Sequence, residues 1–233
     1  MRRLWYKFLT LFFRLLYNRC AWAYDSVSWL VSLGAWKAWG RTVTPYIRGQ
    51  RVLELAHGPG HLLVTMERAG YDPVGVDISP AMGHLANRRW RHAVRTGQIE
   101  PSTAPLVQAL AQALPFRNDS FDSLVSTFPT EFIFESATMQ EAARVIRPEG
   151  RFVIALQARP GKENGCILFR ILDWLYRVTG QAEPLPLDGK DGEDGEDGES
   201  RFRSAPFTFD IAWVEHTNGR VMILVAEREA QAS

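Results

Sequence analysis

One stretch, Arg51 to Leu62 (RVLELAHGPGHL), constrains the fold of this chain more than any other. Val52, Leu53 and Leu55 form a short apolar run of the kind that makes a buried strand, and it stops abruptly at Gly58-Pro59-Gly60. Leu62, Leu63 and Met66 then fall at helical spacing, so the segment reads as strand, tight turn, helix. Glycine in such a turn lets a ligand approach the backbone without a Cβ in the way. The free N–H groups at the start of the following helix favour an anionic or electron-rich group. A second apolar run, Pro73 to Val76, ends in Asp77, and Ser79-Pro80 makes a helix start. A carboxylate closing the second strand can accept hydrogen bonds from both hydroxyls of a ribose. Glycine turn and strand-end acid together point to an adenosine-type cofactor.

The glycine spacing separates two cofactor classes. A dinucleotide fingerprint, G-x-G-x-x-G or A, needs a small third residue so that helix and strand can approach closely. Here Leu63 stands in that place, and the acid Glu54 at the end of the first strand belongs to no such fingerprint. The pattern instead resembles motif I of the class I S-adenosylmethionine-dependent methyltransferases, acid-x-Gly-x-Gly-x-Gly. It runs here Glu54-x-Ala56-x-Gly58-x-Gly60, with Ala56 in place of the first glycine. The resemblance implies S-adenosyl-L-methionine as cofactor. Its aminocarboxypropyl arm would lie on Glu54, Ala56, Gly58 and Gly60, and its ribose on Asp77 beside Ile78. A nicotinamide-dependent oxidoreductase and a cofactor-binding scaffold without transfer activity are the alternatives, and an ordinary strand–helix turn is the bland one.

Downstream, Ala109 to Phe116 (ALAQALPF) with Ser120-Phe121-Asp122 resembles the motif II region of the same family, typically Asp-Ala-x-x-Leu-Pro-Phe followed by Ser-Phe-Asp. Leu110 occupies the position of the aspartate that contacts the adenine amino group, so the resemblance leaves Leu110, Ala111 and Gln112 to hold the adenine. A fourth strand, Asp122 to Thr127, brings Thr127 and the loop through Phe132 to the carboxyl edge of the sheet, where ligands of α/β folds bind. In the family this loop faces methyl group and acceptor. Thr127 is therefore assigned to the cofactor, Glu131 is the candidate base or ammonium partner, and Thr130 a hydrogen-bonding contact. Glu131 can equally be an exposed loop acid. His57 and His61 flank the glycine turn, each a candidate base or a packing residue. Residues 136–147 read as a helix, Glu141 to Arg151 resembles motif III, and Phe152 to Leu156 is the fifth strand. Phe207 to His216 and Arg220 to Arg228 read as two strands about an Asn218-Gly219 turn. The expected fold is an α/β, Rossmann-like seven-stranded mixed sheet with a C-terminal antiparallel hairpin and helices on both faces.

The first 19 residues (MRRLWYKFLTLFFRLLYNR) have a different character. Arg3, Lys7, Thr10, Arg14 and Asn18 make one narrow polar stripe on an otherwise aliphatic and aromatic helix, the pattern of a helix lying in a membrane interface. Lys7 and Arg14 interrupt the roughly 20 apolar residues needed to span a bilayer. Docking on the protein's own core is the alternative. Residues 20–48 read as a helical lid or cap, with Trp22, Trp29 and Trp36 seven apart. Tyr24-Asp25, Ser32-Leu33-Gly34, Trp39 and Arg41 resemble the N-terminal region of the ubiquinone/menaquinone C-methyltransferases and their phospholipid N-methyltransferase relatives, which implies Tyr24 as a lid contact to the cofactor. Residues 49–233 form the methyltransferase domain, within which Cys166 to Val178 reads as an amphipathic helix and 188–200 (DGKDGEDGEDGES) as a disordered acidic loop.

Arg88, Arg89, Arg91 and Arg95 on the helix after Asp77 form either a solvated face or a contact to anionic lipid heads. The formal net charge of +1 gives no whole-chain argument for nucleic acid. Two cysteines far apart, Cys20 and Cys166, support neither a metal site nor a disulfide framework. The expected partners are a small-molecule or lipid methyl acceptor and a membrane surface touched through residues 1–19. The expected location is the cytoplasm, peripheral on the inner face of the membrane. Acceptor identity and oligomeric state stay open.

Overall fold

The computed structural model describes residues 36–160, 201–204, 206–216 and 219–228. The helix expected over 1–19, Trp22, Trp29, Tyr24, the amphipathic stretch 166–178, the acidic loop 188–200 and the Asn218 turn position lie outside them. Two short helical pieces lead in: α1 (Trp36–Gly40) and a 3-10 helix (Arg41–Tyr46). Then follow β1 (Arg51–Leu55), α2 (His61–Arg68), β2 (Asp72–Asp77), α3 (Pro80–Arg95), β3 (Leu106–Gln108) and β4 (Phe121–Thr127). A 3-10 helix (Glu131–Phe134), α4 (Ser136–Val145), β5 (Ile146–Pro160), β6 (Arg201–Ser204), β7 (Phe207–His216) and β8 (Gly219–Glu227) complete the order.

The strands form one sheet in the order 3-2-1-4-5-8-7-6. β1 to β5 run parallel, and β8 inserts antiparallel between β5 and β7. This is the expected seven-stranded mixed sheet with its closing hairpin, extended by one short edge strand, β6, that pairs antiparallel with β7. The period of two along each strand sorts the core into two layers. Leu53, Leu55, Leu124, Phe152, Ile154 and Leu224 meet Met139 and Val145 of α4 on one face. Val52, Val125, Val153 and Ile223 meet Leu63 and Met66 of α2, Trp90 of α3, and Trp39 and Val43 of the lead-in on the other. The chain moves outward from β1 through β2 to β3, then returns to β4 on the other side of β1. Two loops therefore diverge at the carboxyl ends of β1 and β4, the place where open α/β sheets bind ligands.

Two boundaries differ from the sequence reading. The helix expected to 147 ends at Val145, and the strand expected over 152–156 runs from Ile146 to Pro160. The cause is pairing: Gln157 to Pro160 extend the ladder against Met222 to Gly219 of β8, which gives the backbone partners that local sequence does not reveal. At the other end the register of β4 against β5 shifts between Phe121 and Ser123, and Glu149 adopts a left-handed φ of 63°. Among the described residues no helix is long and apolar enough to cross a membrane.

Candidate active site

The turn after β1 is built from left-handed backbone. Ala56, Gly58 and Gly60 have φ of 55°, 52° and 75°. A Cβ at Gly58 would meet nothing within 4 Å, so the turn presents open backbone. Gly60 has the opposite constraint: its Cβ would lie 2.7 Å from the Cβ of Ala86, because α3 crosses against the turn. The Arg89 guanidinium reaches from α3 to the carbonyl of Pro59 and clamps the turn further. Ala56 therefore departs from glycine in a more costly way than one added methyl, since a side chain in this region is disfavoured by about 1–2 kcal/mol. Part of that is offset by the extra freedom of glycine in the unfolded chain. Ala56→Gly is expected to stabilise the fold by about 0.5–1 kcal/mol, read as a higher urea midpoint at unchanged m.

The small residue missing at Leu63 is supplied from another strand. Gly75 of β2 lies beneath it, and a Cβ there would be 2.7 Å from Leu63 Cδ1 and 2.9 Å from His57 Cδ2. The close approach of helix and sheet is thus made with glycine on the sheet, a position that motif spacing along one segment does not reveal.

Asp77 closes β2 and fixes both ends of the site. Its Oδ2 accepts from the Gly58 N–H at 2.9 Å and its Oδ1 from the Ser79 N–H at 2.8 Å. Each oxygen keeps a further lone pair for a ligand hydroxyl. Ser79 caps α3, its side chain accepting from the Met82 N–H with Pro80 in the first turn. Asp77 pairs with Gln108 of β3, and the Ala109 N–H donates to the Asp77 carbonyl. Residues 78 and 109–110 therefore leave the sheet side by side. Ile78 and Leu110, 62% and 50% exposed, are the large exposed apolar side chains of the described residues. Two aliphatic side chains at adjacent strand ends make flanks for a flat ring. The Gln112 side chain, expected at the adenine, donates to Glu135 at 2.7 Å and ties the β3 loop to the β4 loop. Arg144 of α4 holds the same loop by donating to the Leu114 and Phe116 carbonyls, while Glu141 accepts from the Leu114 N–H. Arg144 also donates to both Glu141 carboxylate oxygens, at 2.6 and 2.7 Å, which holds the Glu141 carboxyl below its ordinary value.

Glu54 is the least ordinary group here. It lies on the α2 face of β1, 1% exposed, and its Oε2 has no hydrogen-bond partner. Burial, followed by the neighbouring charge of Asp77, pushes its pKa well above the usual carboxylate value, while the Leu63 backbone opposes the shift. A buried carboxylate with an unused oxygen is costly unless something cationic comes to it. Glu54 faces a cavity of about 70 Å³ that it lines with Ala56, His57, Gly58 and Thr127. Gly40, Arg41, His61, Leu62 and Thr65 also line it; of these Arg41, within the lead-in, and His61, beside the turn, are marked in the sequence as candidate site residues. The volume suits the polar end of an amino-acid arm.

His57 sits behind the turn, 4% exposed, with its Nδ1 2.7 Å from the Gly58 carbonyl. Burial lowers its pKa against the opposing pull of Asp77. A neutral ring donating from Nδ1 fixes the turn. Thr130 and Glu131, at the start of the 3-10 helix after β4, are both exposed and do not line the small cavity. Phe128 just before them has a φ of 50°, an outlier for a bulky residue, held by its N–H donating to the Ala155 carbonyl at 2.7 Å. The structure thus gathers Glu54, Ala56, His57, Gly58, Gly60, Asp77 and Thr127 around one turn, sets Ile78, Leu110 and Ala111 beside it, and leaves Tyr24 undescribed. Among the described residues no group of His, Cys, Asp and Glu is arranged to hold a metal ion.

The described site fits S-adenosylmethionine: a Cβ-free approach at Gly58, an acid with spare lone pairs at Asp77, and an orphaned carboxylate at Glu54 for a cationic arm. Comparison with known proteins agrees. Residues 53–154 match the family model of a methyltransferase domain. A ubiquinone/menaquinone biosynthesis C-methyltransferase from Geobacter sulfurreducens is 34% identical over 140 residues, covering 56% of this chain and 52% of that protein. A demethylmenaquinone methyltransferase from Clavibacter sepedonicus is 32% identical over 143 residues, covering 59% and 55%. The chain therefore spans about half the length of the curated relatives it matches. The fold is shared with a crystal structure of a protein from Methanococcus maripaludis described as a candidate S-adenosyl-L-methionine-dependent methyltransferase, at TM-score 0.54 and 12% identity over 93% of this chain and 95% of that one. Turn, strand-end acid, sheet order and family match converge, and residues 53–154 form a methyltransferase domain of the class I S-adenosylmethionine-dependent type.

Proposed function

We propose that this protein transfers a methyl group from S-adenosylmethionine to a nucleophilic, lipid-like acceptor, either a quinone-type ring or a phospholipid amine. The carrying observation is Glu54, a buried carboxylate at the glycine turn, 1% exposed, with one oxygen unpartnered and its pKa raised by burial and by the neighbouring charge of Asp77. Glu54 would take the ammonium of the methionine arm, with Arg41 at the rim of the same cavity placed for its carboxylate. Asp77 would hold the ribose hydroxyls, and Ile78 and Leu110 the faces of the adenine. When bound, the cofactor supplies an already activated sulfonium methyl, so the residues chiefly align and exclude water. Glu131, on the acceptor side of the β4 loop, would take a proton from the nucleophile or pair with an ammonium. Glu131→Gln is then expected to lower kcat about a hundredfold while S-adenosylhomocysteine affinity stays within threefold. Equal kcat values would return Glu131 to the role of a loop acid.

The lipidic acceptor is supported by the aliphatic and aromatic residues that surround the polar stripe of 1–19 and by the quinone-pathway names of the relatives. In this reading residues 1–19 lie on the membrane and Tyr24 belongs to a lid over the cofactor. The test is transfer of labelled methyl from S-adenosylmethionine into an organic extract, with host membrane lipids as acceptor. Label in the organic phase, resolved by chromatography into phospholipid or quinone, is the expected result. Cofactor binding with no label in that phase would overturn the lipidic acceptor, leaving a soluble acceptor or a non-catalytic scaffold.

A further inference from the structure

Helix α3 carries Arg88, Arg89, Arg91 and Arg95 and no acid between Pro80 and Arg95. Six arginines elsewhere, Arg48, Arg51, Arg144, Arg147, Arg151 and Arg228, are in ion pairs, and Arg220 lies over the Trp213 ring. Arg89 is turned inward to the Pro59 carbonyl. Arg88, Arg91 and Arg95 stand three and four residues apart, on one helical face, exposed and without an acid partner among the described residues. Like charges at these spacings repel one another, so the face is electrostatically unfavourable until an anion arrives. Beyond them lies a wide groove of about 540 Å³ lined by these three arginines, Val94 and Ser102. The wall containing Ser102 is fixed, because the buried Trp90 indole donates to the Ser102 carbonyl at 3.3 Å. Glu100, the nearest acid along that loop, does not line the groove. Arg91 and Ser102 also line a second groove of about 410 Å³ that reaches Asp77 and His57, so the cationic face is continuous with the cofactor end of the sheet.

We propose that the Arg88–Arg91–Arg95 face of α3 is a docking surface for the phosphates of an anionic lipid bilayer. Guanidinium groups match phosphate oxygens in paired hydrogen bonds, and three on an open groove suit an extended anionic surface. Nucleic acid is the less favoured partner, because the one aromatic residue of α3, Trp90, is buried and the groove presents no ring on which bases could stack. The contact is independent of residues 1–19 and would place the Asp77 end of the site next to the bilayer. It shares with the proposed function only the lipidic nature of the partner. Its test reads vesicle binding rather than turnover, so the two can fail separately.

The experiment is flotation of the full chain with phosphatidylcholine vesicles containing about a quarter phosphatidylglycerol, for the wild type, R88Q/R91Q/R95Q and a variant lacking residues 1–19. Each arginine near an anionic surface is worth about fivefold in partition, so the triple variant should bind about a hundredfold more weakly. The charge-dependent part of wild-type binding should fall with salt and be absent on pure phosphatidylcholine, where only residues 1–19 would hold the protein. The truncated variant should keep a residual, charge-dependent binding that the triple substitution then removes. S-adenosylhomocysteine affinity and the thermal midpoint of the triple variant should match the wild type, which rules out misfolding. Wild-type flotation by the triple variant would overturn the proposal, as would equal loss on neutral vesicles. Displacement by millimolar inorganic phosphate would also overturn it in favour of a small-anion site, and retention on RNA with no flotation in favour of nucleic acid.

Discussion

Asp77→Ala is expected to weaken S-adenosylhomocysteine binding by a hundredfold to several thousandfold, the largest effect of any single change in this site. Two charge-assisted hydrogen bonds to ribose hydroxyls would be lost, about 3–5 kcal/mol together. The same carboxylate also accepts from the Gly58 and Ser79 N–H groups, at 2.9 and 2.8 Å. Its removal therefore loosens the glycine turn and the cap of α3 at once, and the fold should lose about 1–2 kcal/mol. Asp77→Asn separates the two roles. One amide oxygen can keep a single backbone donor, so stability should recover by roughly half while ligand affinity stays at least tenfold reduced. Isothermal calorimetry on both variants checks this. An Asp77→Ala protein that binds within threefold of the wild type would place the ribose elsewhere.

Glu54→Gln is expected to move stability and binding in opposite directions. The carboxylate is buried with one unpartnered oxygen, and desolvation holds its pKa well above the ordinary carboxylate range. An acid raised in the folded state stabilises the fold fully below its unfolded pKa and loses that contribution as pH rises through the folded value. The ligand-free protein should accordingly become less stable across that window, and an uncharged glutamine should remove the loss. At pH 8 Glu54→Gln should therefore raise stability by about 1–2 kcal/mol, in line with other functional residues that are strained or charged in a core. Its affinity for S-adenosylhomocysteine should fall at least about tenfold, because the ammonium of the arm loses an anionic partner. In the wild type, a cation bound at Glu54 favours the ionised form, so binding should release a proton and tighten as pH rises through the same window. Calorimetry in buffers of differing ionisation enthalpy reads this directly. Binding without proton release in both proteins would remove Glu54 from the cofactor.

The two experiments also separate what was legible along the chain from what was not. Asp77 was legible because strand, acid and helix cap follow one another within a few residues. The unusual state of Glu54 was not, since it depends on Asp77 of the next strand and on burial beneath α2. Gln112 is a second case: its place in the motif suggested a contact to the adenine, and the structure adds a partner that spacing could not show, a glutamate 23 positions later across the β3 and β4 loops.

By itself the sequence determined the element order, the parallel sheet with its closing hairpin, the glycine turn and the acid at its flank, all set by local periodicity and backbone conformation over short spans. Only the tertiary structure decided that Gly75 supplies the close approach under Leu63, that α3 meets the turn at Gly60 and Ala86, and that β5 continues to Pro160. It also decided that three arginines of α3 keep their charge facing an open groove, while six others are paired. These outcomes depend on contacts between segments distant in sequence, where burial and the position of a partner, rather than residue type, fix the energy of each group.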